Sequence, residues 1–208
     1  MVESLGDAGQ VVVIAHDSKS LTSQERVNNF IAEIQNNHPN MSVAGPYYMD
    51  QIDDIKKTIA EQQLDIVPVE GQELDEEQQT ALDDAIAQIT DEDIYNYILE
   101  MNPDVKGIFA TNGDTTMQAL TACEGKDMKD VVIMGYDADQ EEIDAMKDGR
   151  IAGMIVQNPY GMGYATVVAE ARCVLNMGNE ANVNTGYTWV TPDNIEDRTV
   201  QDILYAEK

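Results

Sequence analysis

Residues 107–114 read GIFATNGD, and this stretch decides the fold. Its apolar start is typical of a buried strand, and the Asn-Gly-Asp that follows predicts a turn. Helical spacing resumes over residues 115–123, so we expect a strand, a tight turn and a crossover helix. In an open α/β sheet, ligands bind where parallel strands end at their carboxyl edge. Asn112 is therefore a candidate ligand-binding residue.

Two later stretches end in the same way. VVIMGYD ends at Asp137, and IAGMIVQNP carries Gln157 at the end of its apolar run. Each is followed by helical spacing, which again predicts a strand and a crossover helix. Three strand ends thus offer a side chain that can form hydrogen bonds.

The rest of the chain repeats this alternation. Apolar runs near residues 11–16 and 41–50 predict strands, and residues 23–37 carry apolar side chains at helical spacing. This order predicts an α/β fold: a parallel, doubly wound sheet with helices on both faces. We interpret residues 1–190 as a single ligand-binding lobe.

The segment 64–89 interrupts the alternation. Six acidic residues and no basic residue fall within residues 65–78, and Pro68 favours an edge strand or loop over residues 64–72. We interpret the segment as an inserted acidic lobe or helical hairpin on the surface. A catalytic lid is the alternative, but the segment carries no nucleophile or base.

The net charge narrows the range of partners. The formal charge is −27, from 39 acidic and 12 basic residues, which argues against nucleic acid and anionic membranes. The sequence has no recognised metal-ligand spacing and no phosphate-binding glycine loop, so we expect no metal, no cofactor and no enzymatic activity. Cys123 and Cys173 lie among apolar residues and are predicted to be buried free thiols.

Five segments in order resemble a known family. They are residues 4–30, 102–114, 131–139, 148–163 and 190–197, which include VVVIAHD, TNGD, GYD, QNP and VTPDNIED. They resemble the sugar-binding periplasmic proteins of ATP-driven importers, of the ribose- and galactose-binding type. Lactose-repressor-type regulators share the same ligand-binding core.

The resemblance assigns residues to a sugar site. It implies that Arg26, Asn112, Asp137 and Gln157 hydrogen-bond sugar oxygens, and that Met49 or Tyr48 lies where the family often has an aromatic wall. Planar amide, carboxylate and guanidinium groups can each contact two neighbouring hydroxyls. Residues 191–208 would then be a tail that crosses the hinge. One departure is TNGD in place of TND, which suggests a loop one residue longer after Asn112.

The resemblance covers one lobe of a type I periplasmic binding protein. It implies the C-terminal lobe of a two-lobed solute-binding protein that closes on a monosaccharide or similar small polar ligand. The N-terminal lobe and the permease of an ABC importer would be its partners. An extracytoplasmic location follows, although MVESLGDAGQ lacks the features of a secretion signal.

Two alternative functions remain open at this point. The chain could be the effector domain of a lactose-repressor-type regulator, or an α/β enzyme that handles phosphates or nucleotides. One further residue, His16, could also face the ligand site. The exposed half-cleft of a single lobe could pair with a second copy, so a homodimer is expected at high concentration.

Overall fold

A computed structural model describes residues 1–67 and 74–204, which divide into two compact units. The first unit is Met1–Ile133 and the second is Met134–Lys208. The boundary falls within one strand, β4. The interpretation of residues 64–72 as an edge strand or loop falls largely outside the described residues, as does the end of the expected tail.

The first unit is built on three parallel strands. Its elements in chain order are α1 (Val2–Leu5), β1 (Gly9–Ala15), α2 (Leu21–Asn37), β2 (Met41–Tyr48), α3 (Asp53–Gln63), α4 (Glu76–Gln88), α5 (Asp91–Met101), β3 (Val105–Ala110) and α6 (Gly113–Gly125). Strand β1 lies between β2 and β3, and both pairings are parallel. The α/β class predicted from the sequence is therefore confirmed.

The core of this unit lies on β1 and β3. All five residues 11–15 of β1 are buried, as expected for a parallel strand covered on both faces. The rings of Phe30 on α2 and Phe109 on β3 stack with centroids 4.2 Å apart. This packing fixes the carboxyl ends of β1 and β3 beside one another.

The acidic segment forms a helix that packs on its neighbour. Helices α3 and α4 contact each other, and α3 also contacts α5. Leu82 anchors α4 with 2% of its surface exposed, while Glu76 and Glu77 in the first turn stay exposed. A surface helical hairpin remains our interpretation of residues 64–89.

The second unit begins within β4 (Val132–Tyr136). It continues with α7 (Gln140–Lys147), β5 (Gly153–Gln157), α8 (Pro159–Val174), β6 (Tyr187–Val190) and α9 (Arg198–Gln201). Strand β5 pairs in parallel with β4 and antiparallel with β6. The strands are therefore mostly, not wholly, parallel. The Trp189 ring lies over Gly153 on the neighbouring strand, where any Cβ would collide with it.

One prediction about the core is wrong. Cys123 is buried as expected, but Cys173 on α8 is exposed. None of the side chains of α8 is buried, so its apolar residues do not build the core that their spacing suggested. Both thiols are free.

Candidate functional site

The predicted turn after β3 is instead the start of a helix. Asn112 is the N-cap of α6, which begins at Gly113 and not at Thr115. The Asn112 Oδ1 atom accepts hydrogen bonds from the Thr115 backbone N–H at 3.1 Å and from the Thr115 hydroxyl at 2.7 Å. The structure therefore shows no extra loop residue after Asn112. The cap occupies the amide oxygen and leaves the Nδ2 group as the donor available to a ligand.

Thr111 connects two further side chains to this strand end. Its carbonyl oxygen accepts a hydrogen bond from Arg26 Nη1 at 2.5 Å. Its Oγ1 atom accepts from the His16 backbone N–H at 3.1 Å and lies 2.9 Å from His16 Nδ1. Arg26 and Asn112 are thus brought to the same end of β3, as the prediction requires.

A cavity of about 310 Å³ opens at this end of the strands. Two of the predicted site residues, Met49 and Asn112, line it. His16, which was predicted only as an alternative, and five residues that were not predicted line it as well. The full lining is His16, Met49, Asp91, Tyr95, Asn112, Asp114, Thr115 and Gln118. Tyr48 at the end of β2 is not part of this lining. The volume is at the lower end of the range for small-ligand sites and suits a monosaccharide.

The loop beside the cavity is held by two carboxylates. Asp17 accepts hydrogen bonds from Ser20 and from the backbone N–H of Lys19, and these bonds lower the pKa of Asp17. Desolvation acts to raise the pKa of Asp50, but hydrogen bonds from Ser18 outweigh it, so that pKa is also lowered. Both groups are ionised at neutral pH. They fix the loop that follows His16.

The second unit brings the other two predicted residues together. Gln157 Nε2 donates a hydrogen bond to Asp137 Oδ1 at 3.0 Å. Asp137 directly follows β4 and adopts a left-handed backbone conformation with φ 73°, which is strained for a non-glycine residue. Its backbone N–H donates to the Ile155 carbonyl at 3.1 Å, which keeps it beside β5. Strain of this kind is often found at functional sites.

Two other kinds of site find no support in the part of the chain that the structure describes. No group of three or more His, Cys, Asp or Glu side chains there is arranged to hold a metal ion. Within residues 1–67 and 74–204, no helix is both long and apolar enough to cross a bilayer.

Comparison with known proteins decides the family. Residues 1–173 match the periplasmic binding protein domain. The chain belongs to the periplasmic binding protein family. This is a family of binding proteins, so the expectation that the chain is not an enzyme is confirmed.

Relatives within this family include an import protein. The ribose import binding protein of Salmonella typhimurium is 35% identical over 66 residues, which is 32% of this chain and 22% of that protein. The family resemblance inferred from sequence is therefore confirmed.

Two solved structures share the fold over nearly the whole chain. An ABC transporter solute-binding protein from Agrobacterium vitis with bound D-fucose has a TM-score of 0.73 at 23% identity. A carbohydrate transporter solute-binding protein from Agrobacterium radiobacter in complex with D-arabinose has a TM-score of 0.70 at 22% identity. They match 99% and 98% of this chain, which spans 59% and 58% of their lengths.

Five lining residues were not predicted from the sequence, and His16 had only a minor place: the five are Asp91, Tyr95, Asp114, Thr115 and Gln118. Tyr95 lies on α5, outside every segment that carries the family resemblance. Of these residues, only His16 could be predicted from a sequence pattern. It comes at the end of a buried apolar run, as Asn112 does.

Proposed function

We propose that the chain binds a monosaccharide as part of a solute-binding protein of an ABC importer. The single observation that carries this proposal is the cavity at the ends of β1 and β3, lined by Asn112 and His16. The family and the sugar-binding solved neighbours support it. The named relatives are transport proteins, which favours import over the regulator alternative.

The proposed roles follow from hydrogen-bonding capacity. The Asn112 amide N–H donates to a ligand oxygen, since its oxygen already caps α6. The Arg26 guanidinium, oriented by the Thr111 carbonyl, donates to ring or hydroxyl oxygens. Met49 covers the C–H face of the ring, with Tyr48 as the other candidate for that wall.

In the second unit, Asp137 and Gln157 supply a carboxylate and an amide. The carboxylate would accept from sugar hydroxyls, and the Gln157 amide orients it through their hydrogen bond. We assign residues 1–190 to ligand binding and residues 191–208 to a hinge-crossing tail, as the resemblance implies.

The proposed partners are an importer permease, the complementary N-terminal lobe and, at high concentration, a second copy of the chain. The second copy would pair through the exposed half-cleft of the lobe. We propose an extracytoplasmic location on the same grounds as importer function. Light scattering over a concentration series tests self-association.

Ligand-observed NMR titrations with D-ribose, D-arabinose and D-fucose test the proposal. We expect saturable, weak binding of at least one sugar. Asn112→Ser should lower its affinity roughly tenfold, because Ser keeps the helix cap but removes the amide donor. Asp137→Asn, which tolerates the same backbone conformation, should also weaken binding.

The matched control is Asn37→Ser, which changes an exposed Asn on α2 and should leave binding unchanged. Thermal unfolding should show Asn112→Ser folded. If no sugar binds, or if Asn112→Ser binds as the wild type does, the proposal is contradicted.

A further inference from the structure

Tyr95 is a buried polar side chain at the wall of the cavity. Only 3% of its surface is exposed, and it is one of the cavity-lining residues. Among residues 1–67 and 74–204, its hydroxyl forms no hydrogen bond, although most buried polar groups have a partner. The hydroxyl oxygen is not among the fully buried polar atoms that lack a partner, so it keeps some exposure at the cavity, where a ligand oxygen can accept its hydrogen bond.

Two carboxylates share this wall. Asp91 lies one turn before Tyr95 on α5, and Asp114 lies in the first turn of α6. Burial, Asp91 and Asp114, in that order, raise the pKa of Tyr95 well above its usual value. The phenol therefore keeps its proton at neutral pH and can donate to a ligand oxygen.

The charge of this wall restricts the ligand. Among the described residues that line the cavity, two are acidic and none is Lys or Arg. Arg26, the cation at the same strand end, is not among the lining residues, and its Nη1 group donates to the Thr111 carbonyl. Carboxylates accept hydrogen bonds and repel anions, so hydroxyl or ammonium groups suit them and carboxylate or phosphate groups do not.

We propose that Tyr95, Asp91 and Asp114 form a selectivity wall that admits neutral or amino-substituted monosaccharides and rejects sugar acids and sugar phosphates. This inference rests on the proposed sugar-binding function. It adds three residues outside the set drawn from the family resemblance, and it specifies the charge class of the ligand.

A purely structural role would explain the two acids differently. Each lies in the first turn of a helix, where a negative charge stabilises the helix end. Glu92 occupies the same turn of α5 as Asp91 but does not line the cavity. Glu92→Gln is therefore a matched control that separates helix stabilisation from selectivity.

The test compares D-galactose, D-galactosamine and D-galacturonate in ligand-observed NMR titrations just below neutral pH. These probes share the configuration of D-fucose, the ligand of the Agrobacterium vitis neighbour, and differ in charge. We expect the wild type to bind galactose and galactosamine at least about fivefold more tightly than galacturonate. The Asp91→Asn/Asp114→Asn double variant should lose this preference, and Glu92→Gln should keep it.

Tyr95→Phe provides a second, independent test. We expect it to lower galactose affinity roughly fivefold while the melting temperature stays nearly equal, since the hydroxyl forms no hydrogen bond to the described residues. Tyr97→Phe, on the same helix and outside the cavity lining, should change neither quantity.

The proposed selectivity is contradicted if the wild type binds galacturonate as tightly as galactose, or if the double variant keeps the wild-type preference. Equal galactose affinity in Tyr95→Phe would also overturn it. In each of these cases, galactose binding that depends on Asn112 would leave the proposed function standing. Binding of none of the three sugars would contradict both.

Discussion

For Asn112, the sequence supported two interpretations. An Asn before Gly is an ordinary turn residue, and an Asn at a strand end is a candidate ligand. The structure shows neither a turn nor a loop at this position, but an N-cap whose amide oxygen is occupied by Thr115. The sequence predicted the position because strand ends are visible in apolar periodicity. It misplaced the helix start, because Gly113 in the first turn looked like a turn residue.

Tyr95 is a site residue that local sequence patterns could not identify. It lies on the amphipathic helix α5, and its place beside Asn112 depends on how α5 packs against α6. Contacts between elements of this kind are not encoded in local spacing. The candidate site could therefore be predicted at strand ends and not along helix faces.

The two cysteines should differ in reactivity. Burial, aided by the nearby Glu124 charge, raises the pKa of Cys123 to about 11, so its thiolate is scarce at neutral pH. Cys173 is exposed. We expect a thiol reagent to modify one thiol quickly under native conditions and the second only after unfolding.

Mass spectrometry of peptides should assign the fast reaction to Cys173, and Cys173→Ser should abolish it. Rapid modification of Cys123 in the folded protein would contradict the burial of α6 against its unit.

At the scale of elements, the start of α5 is fixed by a reciprocal cap. The Asp93 Oδ2 atom accepts hydrogen bonds from the Thr90 hydroxyl at 2.6 Å and from the Thr90 backbone N–H at 2.9 Å. These bonds, the hydroxyl first, lower the pKa of Asp93. The spacing of TDED, residues 90–93, is typical of such a cap.

The contribution of Asp93 to stability should decrease as the pH falls. The pKa of Asp93 is lower in the folded state than the unfolded value of about 3.9, so the folded state binds fewer protons near that pH. Its stabilising contribution is complete above about pH 3.9 and is lost as the pH falls through the folded pKa. Asp93→Asn keeps an acceptor but removes the titrating group.

Urea unfolding at a series of pH values checks this. We expect the wild type to be more stable than Asp93→Asn at neutral pH, and the difference in free energy of unfolding to shrink as the pH falls below about 4. A difference that stays constant with pH would show that the carboxylate charge does not contribute to the cap.

Helix α8 explains the wrong prediction for Cys173. Its sequence is largely apolar, with Glu170 and Arg172 as its charged residues, and this composition is typical of a buried helix. It nevertheless exposes side chains such as Val167 and Val174. Apolar spacing shows which side chains would gain from burial, but it does not show which element packs against them. The predictions of buried strands were right for β1 and β3, because other elements of the same unit pack against them.

At the scale of the whole molecule, the order of strands and helices was predictable and the division into units was not. The alternating pattern predicted the α/β class, and the matches to the family and to solved structures confirm it. The antiparallel pairing of β6 could not be predicted, because a four-residue strand carries no signal of direction. Within each unit, the structure pairs two of the predicted residues: Arg26 with Asn112 around Thr111, and Asp137 with Gln157.

The most direct test of sugar binding at these strand ends is a map of amide chemical-shift changes as D-ribose is added to the isotope-labelled chain. We expect saturable shifts concentrated at the amides of His16, Asn112 and Thr115, with little change along α4. Shifts confined to other surfaces, or no shifts at millimolar sugar, would contradict a monosaccharide site at the carboxyl ends of the strands.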